Sequence, residues 1–448
     1  MASIIETERP ATAPREELPG IGYRSWFLFI MVLVSASVVS EHYILFVLVE
    51  PIRKDLHLSD FQIGLVKDFA IALVYIIAVI PLARLSDSWS RKKIVAIAAF
   101  GWSLSVILCS NAKGFWLMLI GRAGIGMGEG AFTPPSQAWI ADLFPPRHRG
   151  TALSIFLVGA SLGNLAGPAL GGWAAHVYGW RTTLLLASIP GFILAPIVWF
   201  TLRDARPGLS DGNVGGSVER QPFWTVIREL MAIRTLPLLI LASALNALLT
   251  MGLISWAPAF MERTHGMLAR DAGVQMGGAL FIGSLIGHLC GGPLGDWLGR
   301  RNIRWYLWLP MTSAACATTV GLLILTGPGD RVFPLFGLQL LLGGLSAAPL
   351  MAVVTGLAPV RSRATAVAVL MVTINVIGLG GGPALVGLLS DLLHPAYGEA
   401  SLGIAMRWSL LAGIPSTILA YLASRTYKAD NEAARARLVR ESSAPSSL

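Results

Sequence analysis

The segment MLIGRAGIGMGEGAF, residues 118–132, carries two charged side chains, Arg122 and Glu129, in a run that otherwise holds apolar residues and glycine. In an α-helix, seven residues return to within about 20° of the same face and advance by about 10.5 Å. The two side chains are therefore expected to share one helix face and to be too far apart for a tight ion pair. We therefore expect each of the two side chains to have a partner on another helix.

Candidate partners lie inside apolar runs of the same half of the chain: Glu41, His42, Lys67 and Asp68. We expect Arg122 to pair with Glu41 or Asp68. Glu129 is expected to contact His42 or Lys67. As helical neighbours, Lys67 and Asp68 point about 100° apart and are not expected to serve the same partner.

Other interpretations of residues 118–132 remain open. A GxGxxG-like nucleotide loop normally follows a strand and opens a helix, and no strand precedes this run. A buried ion-pair network that only holds helices together is a second interpretation. No His/Asp/Ser arrangement or metal-ligand spacing predicts an enzyme, so no catalytic residue, metal site or cofactor is expected. Three cysteines fall in apolar runs without paired spacing, which predicts packing roles: Cys109, Cys290 and Cys316.

The composition indicates a membrane protein. Of the 448 residues, 54% are hydrophobic and 13% are charged, whereas soluble domains carry about 25% charged residues. Mean hydropathy is +0.65. Apolar runs of about 20 residues, each long enough to cross about 30 Å of hydrocarbon, recur along the chain. The net charge of +9 then reflects basic cytoplasmic loops, and no nucleic-acid partner is expected.

The sequence predicts an all-α membrane protein with twelve transmembrane spans at 25–50, 60–83, 93–111, 115–142, 150–173, 180–202, 236–261, 271–295, 304–327, 332–358, 364–390 and 402–424. An even number places both termini on one side. That side carries 24 of the Lys and Arg residues and the other carries eight, so both termini are expected to be cytoplasmic. The chain looks bacterial in style, which predicts the inner membrane.

The two halves of the chain resemble each other. The loops ARLSDSWSRKK (83–93) and GGPLGDWLGRR (291–301) correspond, and GPAL occurs at 167–170 and at 382–385. Such a repeat predicts two pseudo-symmetric six-helix bundles. The predicted organisation is an N-tail (1–24), an N-terminal bundle (25–202), a cytoplasmic linker (203–235), a C-terminal bundle (236–424) and a loose cytoplasmic C-tail (425–448). Within the linker, QPFWTVIREL (221–230) predicts a short interfacial helix.

Charged side chains within a span cost about 2.5–3.5 kcal/mol on insertion scales and usually face a bundle interior or an aqueous cavity. Because a carboxylate can bind either a proton or a guanidinium, and an imidazole ordinarily titrates near neutral pH, we predict proton coupling. The predicted coupling set is Glu129, Glu41, Asp68, Arg122 and His42. The predicted substrate-binding set is Arg122, Glu129, Glu41, Lys67, Asn246, Phe281 and Asn375.

The GDWLGRR loop and the twelve-span repeat resemble the Major Facilitator Superfamily. The first half is similar to its spinster-like branch in the segments DSWSRKKIVAIAAFGWS, GRAGIGMGEG, IADLFPPRHRGTALSIF, GPALGGW and YGWR. The resemblance implies alternating access between two bundles and a lysolipid or sphingolipid-like cargo. The chain departs from the branch at Glu41-His42, where the branch has an Asp-Arg pair. It also departs at Lys67-Asp68, where the branch has small neutral residues.

The cytoplasmic loops predict a gate. Asp296 is expected to lie at a helix N-terminus or to pair with Arg300. Gly292 and Gly299 are expected to permit a tight turn between the eighth and ninth spans. Contacts between the bundles would latch the cytoplasmic side, as the resemblance implies, although ordinary solvated loops remain an alternative. The predicted gating residues are Asp87, Arg91, Lys92, Asp296, Arg300 and Arg301.

The sequence thus predicts a secondary active transporter, proton-coupled, for an amphipathic lipid-like molecule such as a lysolipid or sphingolipid. Its expected partners are the lipid bilayer, that cargo and protons, and it is expected to function as a monomer. Two alternatives remain. One is proton-coupled transport of a drug, organic anion or metabolite. The other is an intramembrane lipid-modifying enzyme, which no motif supports.

Overall fold

The computed structural model describes residues 19–204, 223–359 and 362–443. Throughout these ranges every regular element is a helix. Helices form because each apolar segment satisfies its own backbone hydrogen bonds, which the hydrocarbon core requires. The predicted all-α fold class is confirmed.

Twelve spans follow one another along the chain. Those of the first half are Ile21–Leu56, 60–88, Arg91–Ser110, Phe115–Leu143, 146–178 and 180–201. Those of the second half are Thr235–His265, Ala269–Arg301, Trp305–Thr326, Val332–Leu357, 363–397 and 401–443. The backbone leaves the helical conformation at Gly179 and at Gly398, which separates the fifth span from the sixth and the eleventh from the twelfth.

Nine helical stretches of the described chain are long and apolar enough to cross a membrane. Two of them, His148–Thr201 and Thr365–Arg437, each contain two spans. The remaining span is Phe115–Leu143, whose glycines and charges lower its hydropathy.

Several spans are longer than predicted, because helices continue past the apolar run on which the prediction rested. The eighth span reaches Arg301, so the tight turn expected at Gly292 and Gly299 is absent there. The last span continues as helix to Ser443, in place of the loose tail expected after residue 424. The amphipathic helix Phe223–Ala232 is present. It buries Val226 and Leu230 against the second half.

Each half packs as a bundle, with the second span against the fourth and the eighth against the tenth. We call the end that carries the chain termini proximal and the opposite end distal. Between the bundles, the fifth span packs against the eighth and the second against the eleventh. In the repeat, the second span corresponds to the eighth and the fifth to the eleventh. The two contacts between the bundles are therefore equivalent, as a pseudo-two-fold repeat requires.

The repeated GPAL motif lies at these two contacts. A methyl group at Gly64 of the second span would lie 2.7 Å from the Pro383 carbonyl oxygen, and one at Gly273 of the eighth span would collide with the Pro168 carbonyl. Both sites are in the distal halves of their spans. Glycine therefore allows the two bundles to touch backbone to backbone at the distal end.

A side chain at Gly273 should hold the distal ends apart. We expect Gly273→Val to lengthen the distance between spin labels at Lys113→Cys and Asp330→Cys, on exposed distal loops of the two bundles. Electron–electron double resonance checks this in a background with Cys290→Ala and Cys316→Ala. The control is Gly278→Val on the same span, where an added Cβ meets nothing within 4 Å. Equal distances in the two variants would contradict the prediction.

Candidate functional site

Arg122 is the centre of a charged cluster inside the N-terminal bundle. Its Nη1 donates to Glu41 Oε1 at 2.8 Å. Of the two expected partners, Glu41 and Asp68, Arg122 therefore pairs with Glu41. Its Nε donates to the Val66 carbonyl at 3.3 Å and its Nη2 to the Lys67 carbonyl at 2.8 Å. The guanidinium is completely buried. It therefore joins the first, second and fourth spans.

The two carbonyls belong to a π-helical turn, Leu65–Phe69, within the second span. A π-helix bonds residue i to i+5, and such turns occur inside α-helices often at functional sites. The wide turn presents its carbonyl oxygens to Arg122. The sequence shows no glycine or proline inside this turn, so nothing in the local pattern predicts it.

His42 joins the remaining carboxylates of the cluster. Its Nε2 lies 3.4 Å from Asp68 Oδ1, and its Nδ1 lies 3.4 Å from Glu129 Oε1. Glu129 thus contacts His42, one of its two expected partners. A single imidazole connects the second span to the fourth, and it can carry a proton between two carboxylates.

Ser255, on the seventh span, connects the cluster to the other bundle. Its hydroxyl donates to Asp68 Oδ2 at 2.9 Å, and its carbonyl accepts from Lys67 Nζ. The expectation that Lys67 and Asp68 serve different partners was wrong, because one residue offers both an acceptor and a donor. Sequence reasoning missed Ser255, since a serine in an apolar run usually bonds its own helix.

The cluster is closed off from solvent in this arrangement. Glu41, Lys67, Asp68 and Arg122 are at most 2% exposed, and the Glu129 side chain is 17% exposed. Charged side chains within spans usually face a bundle interior or an aqueous cavity. The structure packs them together where the bundles meet, and the side chains of Glu129 and His42 are the more accessible members of the cluster, at 17% and 10%.

The other predicted substrate contacts lie apart from the cluster. Asn246 lines a cavity of about 220 Å³ inside the C-terminal bundle, together with Met371. The Asn375 amide donates to the Met371 carbonyl at 2.9 Å, and Phe281 is on the eighth span. Among the described residues, no hydrogen bond joins these three to the charged cluster.

A second charged network closes the distal end. Arg263 of the seventh span binds Asp60 of the second span bidentately, at 2.7 and 2.6 Å, and Glu50 of the first span at 2.5 Å. All three side chains are at most 5% exposed. Bidentate Arg–carboxylate pairs are among the strongest polar contacts. This network holds the two bundles together distally.

The eleventh span adds to the same network. Asp391 accepts from the backbone N–H groups of Asp60 and Phe61, both at 2.9 Å, and Ser390 donates to Asp60 at 2.7 Å. The sequence analysis did not select these residues. The sequence signal that could have identified them is the presence of acidic residues at the distal ends of the spans, where basic residues are few.

The predicted gating residues lie at the proximal end. Arg91 pairs with Asp142, and the Lys92 backbone N–H donates to Asp204, at the start of the linker, at 2.9 Å. The Tyr306 hydroxyl donates to Asp296 at 2.9 Å.

The expected Asp296–Arg300 pair is therefore replaced. Asp296 lies inside the eighth span rather than at a helix N-terminus. Arg301 stacks on Trp297 at 4.1 Å, and Arg300 is exposed. The Asp87 side chain lies outside the described part of the chain.

Known proteins share this architecture. A sequence model of the Major Facilitator Superfamily matches residues 26–381. The chain belongs to the Major Facilitator Superfamily. It is a membrane transporter and not an enzyme, and it resembles the spinster-like branch.

The relatives span nearly the whole chain. An MFS-type efflux pump of Mycolicibacterium smegmatis is 29% identical over 415 residues, covering 91% of this chain and 94% of the relative. Protein spinster homolog 1 of Xenopus tropicalis is 24% identical, covering 84% and 75%. The sphingosine-1-phosphate transporter SPNS2 of Danio rerio is 26% identical, covering 78% and 73%.

A solved structure has the same fold. The crystal structure of a bacterial homologue of the human lysosomal transporter Spinster, in an inward-facing and unoccupied conformation, aligns with a TM-score of 0.84. It is 24% identical and covers 92% of this chain and 99% of that chain.

Removing one member of the Arg122 pair should cost more than removing both. We expect Arg122→Met to lower the free energy of unfolding by about 3–5 kcal/mol, because Glu41 then stays buried without its cation. The double variant Arg122→Met/Glu41→Leu should be more stable than the single one. Thermal unfolding in detergent checks the order. A double variant less stable than Arg122→Met would contradict it.

Breaking the distal network should release the bundles there. We expect Arg263→Ala to shift the same distal spin-label pair towards longer distances, since the variant loses the ion pairs that join the seventh span to Glu50 and Asp60 of the other bundle. The control is Arg270→Ala, because Arg270 pairs at 3.1 Å with its own neighbour Asp271. An unchanged distance distribution in Arg263→Ala would show that the network does not hold the bundles.

Proposed function

We propose that this transporter is a proton-coupled secondary carrier of an amphipathic, lipid-like molecule, such as a lysolipid or sphingolipid, working by alternating access as a monomer. The observation that carries the proposal is the buried cluster in which Arg122 binds Glu41 and His42 bridges Asp68 and Glu129. Titratable groups inside a membrane bundle are expensive and mark ion or proton pathways. This cluster also contacts the opposite bundle through Ser255.

The coupling step follows from competition for carboxylates. Glu129 is the most exposed member of the cluster, so it is the entry point for a proton. His42 can pass the proton to Asp68, because its two ring nitrogens lie 3.4 Å from the two carboxylates. When the bundles separate distally, Ser255 leaves Asp68. The proton affinity of the cluster then depends on which side is open, and this dependence links proton movement to bundle movement.

The Lys and Arg distribution supports an orientation with the proximal end in the cytoplasm. The distal end would then face the periplasm of a cell with an inner membrane. The close contacts at Gly64 and Gly273 would correspond to a state closed to the periplasm. In the opposite state, we propose that the proximal loops form the latch, with Asp87, Arg91 and Lys92 on one bundle and Asp296, Arg300 and Arg301 on the other.

An alkyl chain is the second part of the proposed cargo. The cavity inside the C-terminal bundle is lined largely by apolar residues, and its polar lining residues are Asn246, Ser243, Ser346 and Ser416. Its volume of about 220 Å³ suits part of an alkyl chain. The names of the spinster and sphingosine-1-phosphate relatives also support a lipid-like cargo.

Export of another organic molecule is the second candidate. The efflux pump of Mycolicibacterium smegmatis is similar over nearly its entire length. A drug-like or metabolite cargo would use the same cluster for coupling, so the two candidates differ in cargo and not in mechanism.

Transport in liposomes tests the proposal. Purified protein should take up a fluorescent lysolipid when an inward pH gradient is imposed, and Glu129→Gln and Arg122→Ala should reduce gradient-driven uptake to the level of empty liposomes. Lys113→Met, at an exposed loop position, should behave as wild type.

The outcomes separate cargo from coupling. Uptake that ignores the gradient would exclude proton coupling. Uptake of a fluorescent drug in place of the lysolipid would favour the second candidate.

A further inference from the structure

Lys67 differs from the other cations of the buried cluster. It is completely buried, and no carboxylate of the described residues lies within 4.0 Å of its ammonium group. Its contacts are the Ser255 carbonyl, the Phe46 ring, whose centroid lies 4.5 Å from Nζ, and the Trp256 ring, whose centroid lies 5.2 Å from Nζ. A backbone carbonyl and two aromatic rings therefore surround the amino group of Lys67.

The nearby acidic side chains are already used. Glu41 binds Arg122, and the two Asp68 oxygens face His42 and Ser255. Burying an ammonium without an ionic partner is costly, and cation–π contacts return only part of that cost. Among the described residues, Lys67 therefore has no carboxylate partner of its own in the closed structure.

The surroundings of Lys67 depend on the state of the transporter. Phe46 belongs to the same bundle as Lys67, whereas Ser255 and Trp256 belong to the other. Trp256 is fixed to its own bundle, because its indole N–H donates to the Pro383 carbonyl at 3.0 Å. When the bundles separate distally, Ser255 and Trp256 move away together, and the ammonium loses two of its three contacts.

We propose that Lys67 is a state-dependent receptor for an anionic group of the cargo. With the distal end closed, the Ser255 carbonyl occupies the ammonium. With the distal end open, a phosphate or carboxylate of the cargo binds there. Closing the distal end replaces the anion by the carbonyl and so expels it from this site.

The inference deepens the proposed function, on which it rests, by assigning an anionic head group to the amphipathic cargo. Arg122 is a poorer receptor, because Glu41 and two carbonyls already occupy it. His42 lies between two carboxylates, which leaves Lys67 as the cation of this cluster whose charge an anion can match.

Equilibrium binding of two matched amphiphiles tests the site without a pH gradient. Monododecyl phosphate and the uncharged dodecyl maltoside are titrated into protein in lipid nanodiscs, using Arg263→Ala to favour the distal-open state. We expect the phosphate to bind more tightly than the maltoside. Lys67→Met should weaken phosphate binding about tenfold or more, Lys67→Arg should retain it, and Lys113→Met should change nothing.

A second measurement tests the state dependence with Lys67 intact. Lys54→Cys and Glu262→Cys replace a pair whose side chains meet across the distal end at 3.4 Å, and a bifunctional maleimide joins them in the Cys290→Ala/Cys316→Ala background. The crosslinked protein should lose its preference for the phosphate, and the same variant without crosslinker should keep it.

Three results would overturn the inference. They are unchanged phosphate binding in Lys67→Met, no preference for the phosphate in the distal-open protein, and full preference after crosslinking. Equal binding of both amphiphiles would remove the Lys67 site and leave a lipid-like cargo standing. Loss of gradient-driven uptake in liposomes, by contrast, concerns only the coupling in the proposed function.

Discussion

The contact between Arg122 and its three acceptors is the constraint on which the N-terminal bundle depends. A guanidinium buried in a membrane bundle is costly unless it is paired and hydrogen-bonded. Glu41 supplies one and the wide turn of the second span supplies two. This requirement fixes the first, second and fourth spans relative to one another. It also fixes where Lys67 and Asp68 emerge from the second span.

From that fixed point, polar contacts extend to the other bundle at two levels. Ser255 meets the cluster at mid-span, and Arg263 meets Glu50 and Asp60 at the distal end. Between these levels the backbones touch at Gly64. Polar groups on the seventh span therefore contact both the titratable cluster and the network that closes the distal end. The proposed coupling and gating contacts thus lie on one helix.

The sequence was sufficient for the architecture because apolar length, charge asymmetry and the internal repeat are local or periodic signals. It also identified the buried charges of the N-terminal bundle. It did not reveal the π-turn or Ser255, because neither has a distinctive local pattern. The pairing of Arg263 with Asp60 joins residues some 200 positions apart, and only the packing of the two bundles determines which distal charges meet. Helix ends were misjudged where charged residues continue a helix beyond the hydrocarbon.

The π-turn at Leu65–Phe69 has a consequence for helix register. A wide turn accommodates one more residue than the α-helical turn it replaces, and one residue corresponds to a rotation of about 100°. The turns on the distal side of it, which carry Asp60 and Gly64, are therefore rotated relative to those on the proximal side. With the span in this register, Asp68 contacts Ser255 and Asp60 contacts Arg263, so one span meets the other bundle at two depths.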